Sequence, residues 1–380
     1  MSIRNMGKSC FLNLQDEIEK IQLYINNKNV KEKTFNDLVL NIDIGDIIGI
    51  KGCLFRTKTD ELSIRVSYLE LLSKNIHPLP NTKEKDGHAF FAFEDKESRY
   101  RNRHLDLIIN PKNKNVFKLR SEIIFQIRKY LNKKKFMEVE TPIVQNIYGG
   151  ASARPFTTYH NSLNQDFYRR IAEELHLKRL IIGGFEKIFE IGKNFRNEGI
   201  DRKHNPEFTM LELYQSYVDI HEMLLITEKI FKILVKTTGK KSVEFLGNKI
   251  NISKPFCKIS MRELLVTELN EDVILYDSNK LYNFCISNRV EVNKKMNYGQ
   301  LFDKMFSILI EPKLISPIFV LDYPKSISPL AKSNRNNSDL VERFELFIGG
   351  IEFANAFSEL NDPLEQRARF EEQLELKKEG

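Results

Sequence analysis

The sequence contains no tryptophan and little of several features that mark special classes of protein. Only 17 of its 380 residues are glycine and 12 are proline, which excludes a collagen-like or low-complexity chain. No apolar run approaches the roughly 20 residues that a membrane helix needs, and residues 1–10 lack the apolar stretch of a signal peptide. We therefore expect a soluble protein with no membrane contact, located in the cytoplasm or in an organelle matrix.

Cysteine is also scarce. The four cysteines form no CxxC pair and have no histidine cluster near them, so neither a disulfide framework nor a zinc site is predicted. They are Cys10, Cys53, Cys257 and Cys285.

The chain has little excess charge of one sign. Its 59 basic and 52 acidic residues leave a net charge of +7, and residues 1–110 contribute only +1 from 17 basic and 16 acidic side chains. Any nucleic acid bound by that region must therefore be held by specific contacts rather than by a bulk positive field. A length of 380 residues exceeds what one hydrophobic core usually supports, so more than one domain is expected.

Short strands separated by turns are predicted for residues 7–72. The strand segments are SCFLNLQD, KIQLYIN, GDIIGIKGCLF and LSIRVSYLELL, with a turn at residues 58–61. Such a run is typical of a small OB-type β-barrel, which binds single-stranded nucleic acid by stacking and edge hydrogen bonds. On the strands alone, a β-domain with only a packing role fits equally well. The charge-rich residues 81–104 predict a linker with a surface hairpin or loop.

The pattern changes to helical spacing from Val116, and an extended segment FMEVETP follows, ending at Pro142. Residues 185–217 predict two strands around a charged loop, and residues 219–238 predict a helix that ends before Gly239. A last helix is predicted to begin with Asp362 as its N-cap and Pro363 at its first position. Together these elements predict an α+β protein.

The segment 194–217, NFRNEGIDRKHNPEFTMLELYQSY, carries the most chemical information. In a strand FTMLELY, period-two alternation places Phe208, Met210, Glu212 and Tyr214 on one face. A purine could stack on Phe208, and the planar fork of Arg196 suits a carboxylate and a phosphate together. Taken singly these residues fit a charged loop on a β-hairpin, whereas the ordered string FRNEG…H.PEFT.LE is too specific for that reading.

These segments resemble the bacterial-type lysyl-tRNA synthetases, a family of class II aminoacyl-tRNA synthetases with an N-terminal anticodon-binding barrel. FMEVETP resembles the end of the first class motif, at a dimer interface, and FRNEG to LELY resembles the second. Further similar segments are GGASARPF, RIAEELHLKRL, SPLAKSN and ERFELFIGGIEFANAFSELNDP. The resemblance implies a five-stranded OB-type barrel at residues 1–80 with an incomplete first strand, a linker at 81–110, and a class II antiparallel β-sheet domain flanked by helices at 111–380.

The resemblance implies ATP-dependent ligation of L-lysine to tRNA(Lys) by a homodimer that uses Mg²⁺. The lysine carboxylate would attack the α-phosphorus of ATP, release pyrophosphate and leave lysyl-adenylate, from which the lysyl group passes to the terminal ribose of the tRNA. No side-chain nucleophile is required, so positioning and charge stabilisation would supply the catalysis.

The resemblance also implies the site residues. The α-amino group of lysine would bind Gly150 and Glu174, its carboxylate would bind Arg196, and its ε-ammonium would bind Glu212, Tyr214, Asn355 and Glu359. ATP would contact Arg196 and His204 as catalytic residues at its phosphates, with Phe208 under the adenine and Glu198 near its edge. Magnesium would bind Glu345 and Glu352. In the barrel, Phe11 would stack on an anticodon base, and Gln22 and Glu61 would hydrogen-bond base edges.

Physical chemistry agrees with the predicted ammonium pocket. A terminal ammonium is a compact cation with three donors, and two converging carboxylates satisfy it while rejecting aspartate or asparagine side chains. Each glutamate taken alone would more ordinarily be a surface charge. Paired at the ends of buried strands, they indicate a cation pocket.

The sequence departs from the family pattern at several places. It ends at LELKKEG, before a glycine-rich third class motif that carries an arginine for ATP, and Ala356 stands where glycine is usual. We therefore expect that the chain is trimmed at both ends. Whether it is active by itself then depends on the missing third motif. The alternative is a catalytically silent relative that binds tRNA through its barrel. Retention of the predicted lysine-site residues argues against long decay.

Overall fold

The structure is a computed structural model, and it describes residues 3–379 except 18, 38, 78, 81–82, 86–87, 91–92, 94, 152 and 202–203. The chain forms two compact units, Met1–Lys118 and Leu119–Gly380. No helix among the described residues is long and apolar enough to cross a membrane. All four cysteines are free.

The first unit is built on a five-stranded sheet. Its elements are β1 (Ile3–Met6), β2 (Ser9–Gln15), β3 (Lys20–Asn26), α1 (Glu32–Asp37), β4 (Ile47–Arg56) and β5 (Leu62–Ser73). The strand order is β1-β2-β3-β5-β4, with β3 and β5 parallel and the other neighbours antiparallel. The predicted strands and the turn after β4 are confirmed.

Alternation along these strands separates a core face from an outer face. Cys10 and Leu12 of β2 pack with Leu23 and Ile25 of β3, together with further apolar side chains of β5 and α1. The intervening residues include Phe11, which lies directly opposite Tyr24 in the β2–β3 register. Because the alternate residues fill the core, the aromatic side chains of β2 and β3 lie on the opposite face of the sheet.

A hairpin and two helices follow the sheet. They are β6 (Lys83–Lys85), β7 (His88–Phe90), α2 (Lys96–Arg101) and α3 (Arg103–Ile109). The antiparallel pairing of β6 with β7 confirms the predicted hairpin. The sequence did not predict α2 or α3. Both segments are rich in charged residues, and the one buried charged group that organises them cannot be told from its exposed neighbours in the sequence.

That group is Asp106, whose side chain is fully buried. It accepts hydrogen bonds from Arg99 at 2.8 Å, Arg103 at 2.6 Å, Asn110 at 3.0 Å and Asn113 at 3.0 Å. Burial alone would raise its pKa, but these donors outweigh burial and lower the pKa from 3.8 to about 2. The carboxylate thus stabilises the folded state only while it is ionised.

Asp106→Asn is expected to lower the free energy of unfolding by about 2–3 kcal/mol at pH 7, since both arginines lose the charge of their acceptor and one of them faces an NH₂ group instead of an oxygen. The folded pKa lies below the unfolded one, so the stabilisation is complete above about pH 4 and is lost as the pH falls toward 2. Urea unfolding at pH 7 and pH 3 should show the difference between wild type and variant shrinking with acid. Asp60→Asn, which alters an exposed ion pair with Arg56, is the control. Equal midpoints for wild type and Asp106→Asn at pH 7 would contradict this account.

The second unit contains the longer helices and the remaining strands, and the first turn of its first helix, α4, belongs to the first unit. In chain order its elements are α4 (Lys114–Lys133), β8 (Met137–Glu138), β9 (Val144–Gln145), β10 (Thr157–His160), β11 (Gln165–Arg169), α5 (Glu174–Ile182), β12 (Lys187–Phe195), β13 (Glu207–Gln215), α6 (Ile220–Thr238), β14 (Ser242–Phe245), β15 (Asn248–Asn251), β16 (Cys257–Ser260), α7 (Met261–Leu269), α8 (Ser278–Ser287), α9 (Tyr298–Leu309), β17 (Ile318–Pro324), β18 (Leu340–Ile348), β19 (Ile351–Phe357) and α10 (Pro363–Glu379).

The two principal sheets have the orders β13-β12-β8 and β16-β17-β18-β19, and smaller sheets are β10-β11-β9 and β14-β15. Most neighbours are antiparallel, but β8 runs parallel to β12 and β16 runs parallel to β17. The predicted α+β class and the antiparallel sheet flanked by helices are confirmed, with these two parallel pairs added.

Local sequence fixes the helix ends, and Gly239 and Asp362 lie at the ends predicted for them. Asp219 accepts a hydrogen bond from the backbone of His221 at the start of α6, and Gly239 follows that helix with φ +68°. Asp362 accepts from the backbone nitrogens of Leu364 and Glu365 at the start of α10.

The core also decides which face of β13 carries polar groups. Leu211 and Leu213 pack against a cluster containing Leu131, Phe136 and Phe189. Alternate residues must then lie on the opposite face, and these include Glu212 and Tyr214. The predicted alternation of this strand is confirmed.

Candidate active site

A buried polar network underlies the site. The four residues Arg170, Glu173, Glu190 and Asn194 are each at most 4% exposed. Arg170 lies 2.6 Å from Glu190 and 3.5 Å from Glu173, and Asn194 donates to Glu173 at 2.6 Å. A Cβ at Gly192 would lie 2.1 Å from the Arg170 guanidinium, so only glycine lets the arginine lie against β12.

Sequence reasoning missed this network. The string RIAEE flanks an apolar pair with an arginine and two glutamates, and the sequence assigned a role only to its last residue, Glu174. The apolar pair Ile171 and Ala172 is buried, and the charged residues directly beside that pair were the sequence signal for the network.

Two acidic side chains from distant segments meet at Lys178. Its Nζ bonds Glu174 Oε1 and lies 3.1 Å from Glu359 Oε2. Gly150 joins this group with φ +87°, and a Cβ there would lie 3.0 Å from the Glu174 Cβ. The structure therefore brings together Gly150, Glu174 and Glu359, and adds a lysine that the sequence did not indicate.

Glu212 and Tyr214 lie beside this group. The Tyr214 hydroxyl donates to Glu212 Oε1 at 2.6 Å. Burial raises the pKa of Glu212 to about 8; the Tyr214 hydrogen bond opposes that rise, and the charges of Glu173 and Glu174 add to it. Burial and the charges of Glu212, Glu174 and Glu359 raise the pKa of Tyr214. Tyr214 is thus surrounded by carboxylates from β13, from α5 and from the segment after β19. This pocket favours a cation.

Arg196 directly follows β12, where the nucleotide is predicted. Its guanidinium carbon lies 5.2 Å from the centre of the Phe208 ring, and its Nε donates to the Ile171 carbonyl at 3.4 Å. Glu198 and His204 lie in the exposed loop that follows, where His204 Nδ1 is 2.8 Å from Asp201. The predicted ATP contacts of Glu198 and His204 stay predictions.

The predicted magnesium residues belong to a second polar cluster on β18 and β19. Glu345 accepts from Tyr323 at 2.8 Å, from Asn355 at 3.1 Å and from Arg343. Glu352 is exposed at its residue surface, but neighbouring protein still desolvates its carboxylate. That desolvation and then the charge of Glu345 raise its pKa to about 7, while the charge of Arg343 lowers it. Within the described chain, no three His, Cys, Asp or Glu side chains are grouped to hold a metal ion.

Asn355 was predicted to contact the ε-ammonium of lysine. Its amide donates to Glu345 at 3.1 Å and accepts from Arg343 at 3.3 Å, so its described hydrogen bonds lie in the Glu345 cluster. The register explains this placement, because Asn355 lies directly opposite Glu345. Its contact with a substrate stays a prediction.

In the first unit the three residues predicted to read an anticodon share one cavity. Phe11, Gln22 and Glu61 line a space of about 150 Å³ together with Arg4 and Asn13. Ser63 donates to the Gln22 carbonyl oxygen at 2.9 Å, which leaves the amide NH₂ to offer to the cavity. An aromatic ring, an amide and a carboxylate thus lie where a base could be stacked and read.

Both units of the chain match known protein families. Residues 95–380 match the family described as tRNA synthetases class II (D, K and N), and residues 1–72 match the family described as OB-fold nucleic acid binding domain. Three similar proteins are each named lysine–tRNA ligase and are each 46% identical to this chain. The one from Azobacteroides pseudotrichonymphae genomovar. CFP2 aligns with 100% of this chain and 77% of its own length. The corresponding shares are 99% and 76% for Wigglesworthia glossinidia brevipalpis, and 100% and 75% for Histophilus somni (strain 2336).

Proposed function

We propose that this chain, which belongs to the class II tRNA synthetases (D, K and N), ligates L-lysine to tRNA(Lys) through a lysyl-adenylate. The observation that carries the proposal is the convergence of Glu212, Glu174 and Glu359 around Tyr214. The side chains of aspartate and asparagine carry no positive charge, so this acidic pocket would disfavour both and accept an ammonium. The lysine–tRNA ligase names of the similar proteins favour this function over the catalytically silent alternative.

In the proposed reaction, an oxygen of the lysine carboxylate bonds to the α-phosphorus of ATP as the bond to pyrophosphate breaks. A ribose hydroxyl of the tRNA then attacks the lysyl carbonyl carbon, and AMP leaves. Arg196 would hold the carboxylate and the α-phosphate together and offset their charge, while Glu174, Glu212 and Glu359 orient the amino groups. Catalysis comes from this alignment and from charge stabilisation.

Glu345 and Glu352 fit the proposed magnesium ion by their donor chemistry. Both present carboxylate oxygens, and the charge of Glu345 is one cause of the raised pKa of Glu352, a repulsion that a dication would relieve. When bound, Mg²⁺ would supply positive charge to the ATP phosphates. Two carboxylates leave the remaining ligand positions to phosphate and water, which agrees with how Mg²⁺ binds at nucleotide sites.

A homodimer is part of the proposal. Several large apolar side chains on α4, on β8 and β9 and in the loop after β9 are exposed, namely Phe125, Met137, Val144 and Ile147. A second copy of the chain would cover them, in agreement with the interface role implied for FMEVETP.

The test is amino-acid-dependent exchange of labelled pyrophosphate into ATP, with each of the twenty amino acids supplied separately. In protein that includes the third class motif, we expect exchange with lysine and none with aspartate or asparagine, and sedimentation as a dimer. Exchange with another amino acid instead of lysine would refute the assignment. Anticodon-dependent tRNA binding without lysine-dependent exchange would favour the silent alternative.

Phe11→Ala is expected to raise KM for tRNA(Lys) in aminoacylation by about 10- to 100-fold, since one stacked base contributes about 1–3 kcal/mol. Pyrophosphate exchange, which needs no tRNA, should be unchanged. Tyr68→Ala removes an exposed aromatic from β5 of the same unit and serves as the matched control. An unchanged KM in Phe11→Ala would remove this residue from the RNA site.

A further inference from the structure

Lys178 is the unassigned cation in the candidate lysine pocket. It lies on α5 one turn after Glu174, and its ammonium bonds Glu174 while lying 3.1 Å from Glu359. These are the two carboxylates proposed for opposite ends of the substrate, the α-amino group and the ε-ammonium. One built-in ammonium therefore connects both ends of the pocket.

The contacts of Lys178 use only one oxygen of each carboxylate, so the pocket can still bind a substrate. Lys178 bonds Oε1 of Glu174 and Oε2 of Glu359, so each carboxylate keeps a second oxygen. Oε2 of Glu174 is the one near Gly150, at 3.6 Å from where a Cβ would stand. The ring of Phe357 lies beneath the ammonium at 5.7 Å and contributes a further weak attraction.

We propose that Lys178 is a positioning residue, which holds the carboxylates of Glu174 and Glu359 in place to receive the two amino groups of lysine. This inference rests on the proposed function. Two neighbouring carboxylates without a nearby cation would repel each other, and a carboxyl that takes up a proton is a poor partner for an ammonium. A tethered cation avoids that outcome while leaving one oxygen of each carboxylate to the substrate.

The electrostatics of the surroundings agree with this role. Burial alone would lower the pKa of Lys178, but the charges of Glu359 and Glu174 outweigh burial and raise it. Burial raises the pKa of Glu359; Lys178 opposes the rise, and Glu174 adds to it. The other titratable groups that face this set are Glu212 and Tyr214. Removing Lys178 would therefore raise the pKa of Glu359 further.

The experiment compares wild type, Lys178→Met and Lys178→Arg in lysine-dependent pyrophosphate exchange at pH 6.5, 7.5 and 8.5. For Lys178→Met we expect KM for lysine to rise about 10- to 100-fold at pH 6.5, with kcat within about threefold of wild type. The excess in KM should shrink as the pH rises, because Glu359 then ionises without its partner. Lys178→Arg, which keeps the charge, should restore most of the affinity.

Lys232→Met is the matched control. Lys232 has the same 25% side-chain exposure, pairs with a glutamate one turn earlier, and lies 4.2 Å from the ring of Phe256. Its loss should leave KM for lysine unchanged. If Lys178→Met shows wild-type KM at every pH, or loses kcat without a pH-dependent change in KM, the inference fails. If wild type shows no lysine-dependent exchange, the proposed function fails instead.

Discussion

Replacing Glu212 by glutamine is expected to lower kcat/KM for lysine in pyrophosphate exchange by about 10³-fold, equivalent to about 4 kcal/mol. Glutamine keeps the size of the side chain but removes the charge that would face the ε-ammonium. The loss is large because Glu212 is surrounded by Tyr214, Glu173 and Glu174 in a pocket where water screens charge poorly. The measurement is the exchange rate over a range of lysine concentrations.

The pH dependence separates this role from a general loss of structure. The pKa of Glu212 is raised to about 8, so its carboxylate is mostly protonated at pH 6 and ionises as the pH rises. The ammonium of lysine stays charged throughout this range, so wild-type KM should fall between pH 6 and pH 8 and the variant should lose most of that dependence. Glu371→Gln, an exposed change on α10, is the control. A variant with wild-type kcat/KM would contradict the proposed pocket.

Arg196→Ala is expected to reduce kcat for lysine activation by about 10³-fold, by comparison with other arginines that stabilise charge at phosphates. The guanidinium lies over Phe208, so the substitution removes both the proposed phosphate contact and the group above the proposed adenine platform. Arg196→Lys should recover only part of the rate, because an ammonium lacks the planar fork.

The matched control is Arg262→Ala, which removes an exposed arginine of α7 that is paired with Asp272. Single-turnover formation of lysyl-adenylate is the measurement, since it reports the chemical step alone. If Arg196→Ala changes only KM for tRNA and not adenylate formation, Arg196 does not act where we propose.

Local patterns in the sequence predicted much of the fold. The alternation of β13 separates Leu211 and Leu213 from Glu212 and Tyr214, and that separation follows from strand geometry alone. Gly239 likewise marks the predicted end of α6. Such features depend on neighbours in sequence, so a single sequence is sufficient to find them.

The residues that were missed depend on distant contacts. Arg170, Glu173 and Lys178 look like surface charges in the sequence, and only packing between α5, β12 and the segment after β19 buries or pairs them. Asn355 hydrogen-bonds its register partner Glu345, and its predicted contact with the ε-ammonium stays a prediction. Pairing between strands, which no local pattern encodes, decides this placement.

The most direct test of the account is a crystal structure of the protein with bound lysine. We predict that the ε-ammonium lies within about 3 Å of carboxylate oxygens of both Glu212 and Glu359, with the α-amino group at Glu174. An ε-ammonium bound away from both of these carboxylates would contradict the central claim.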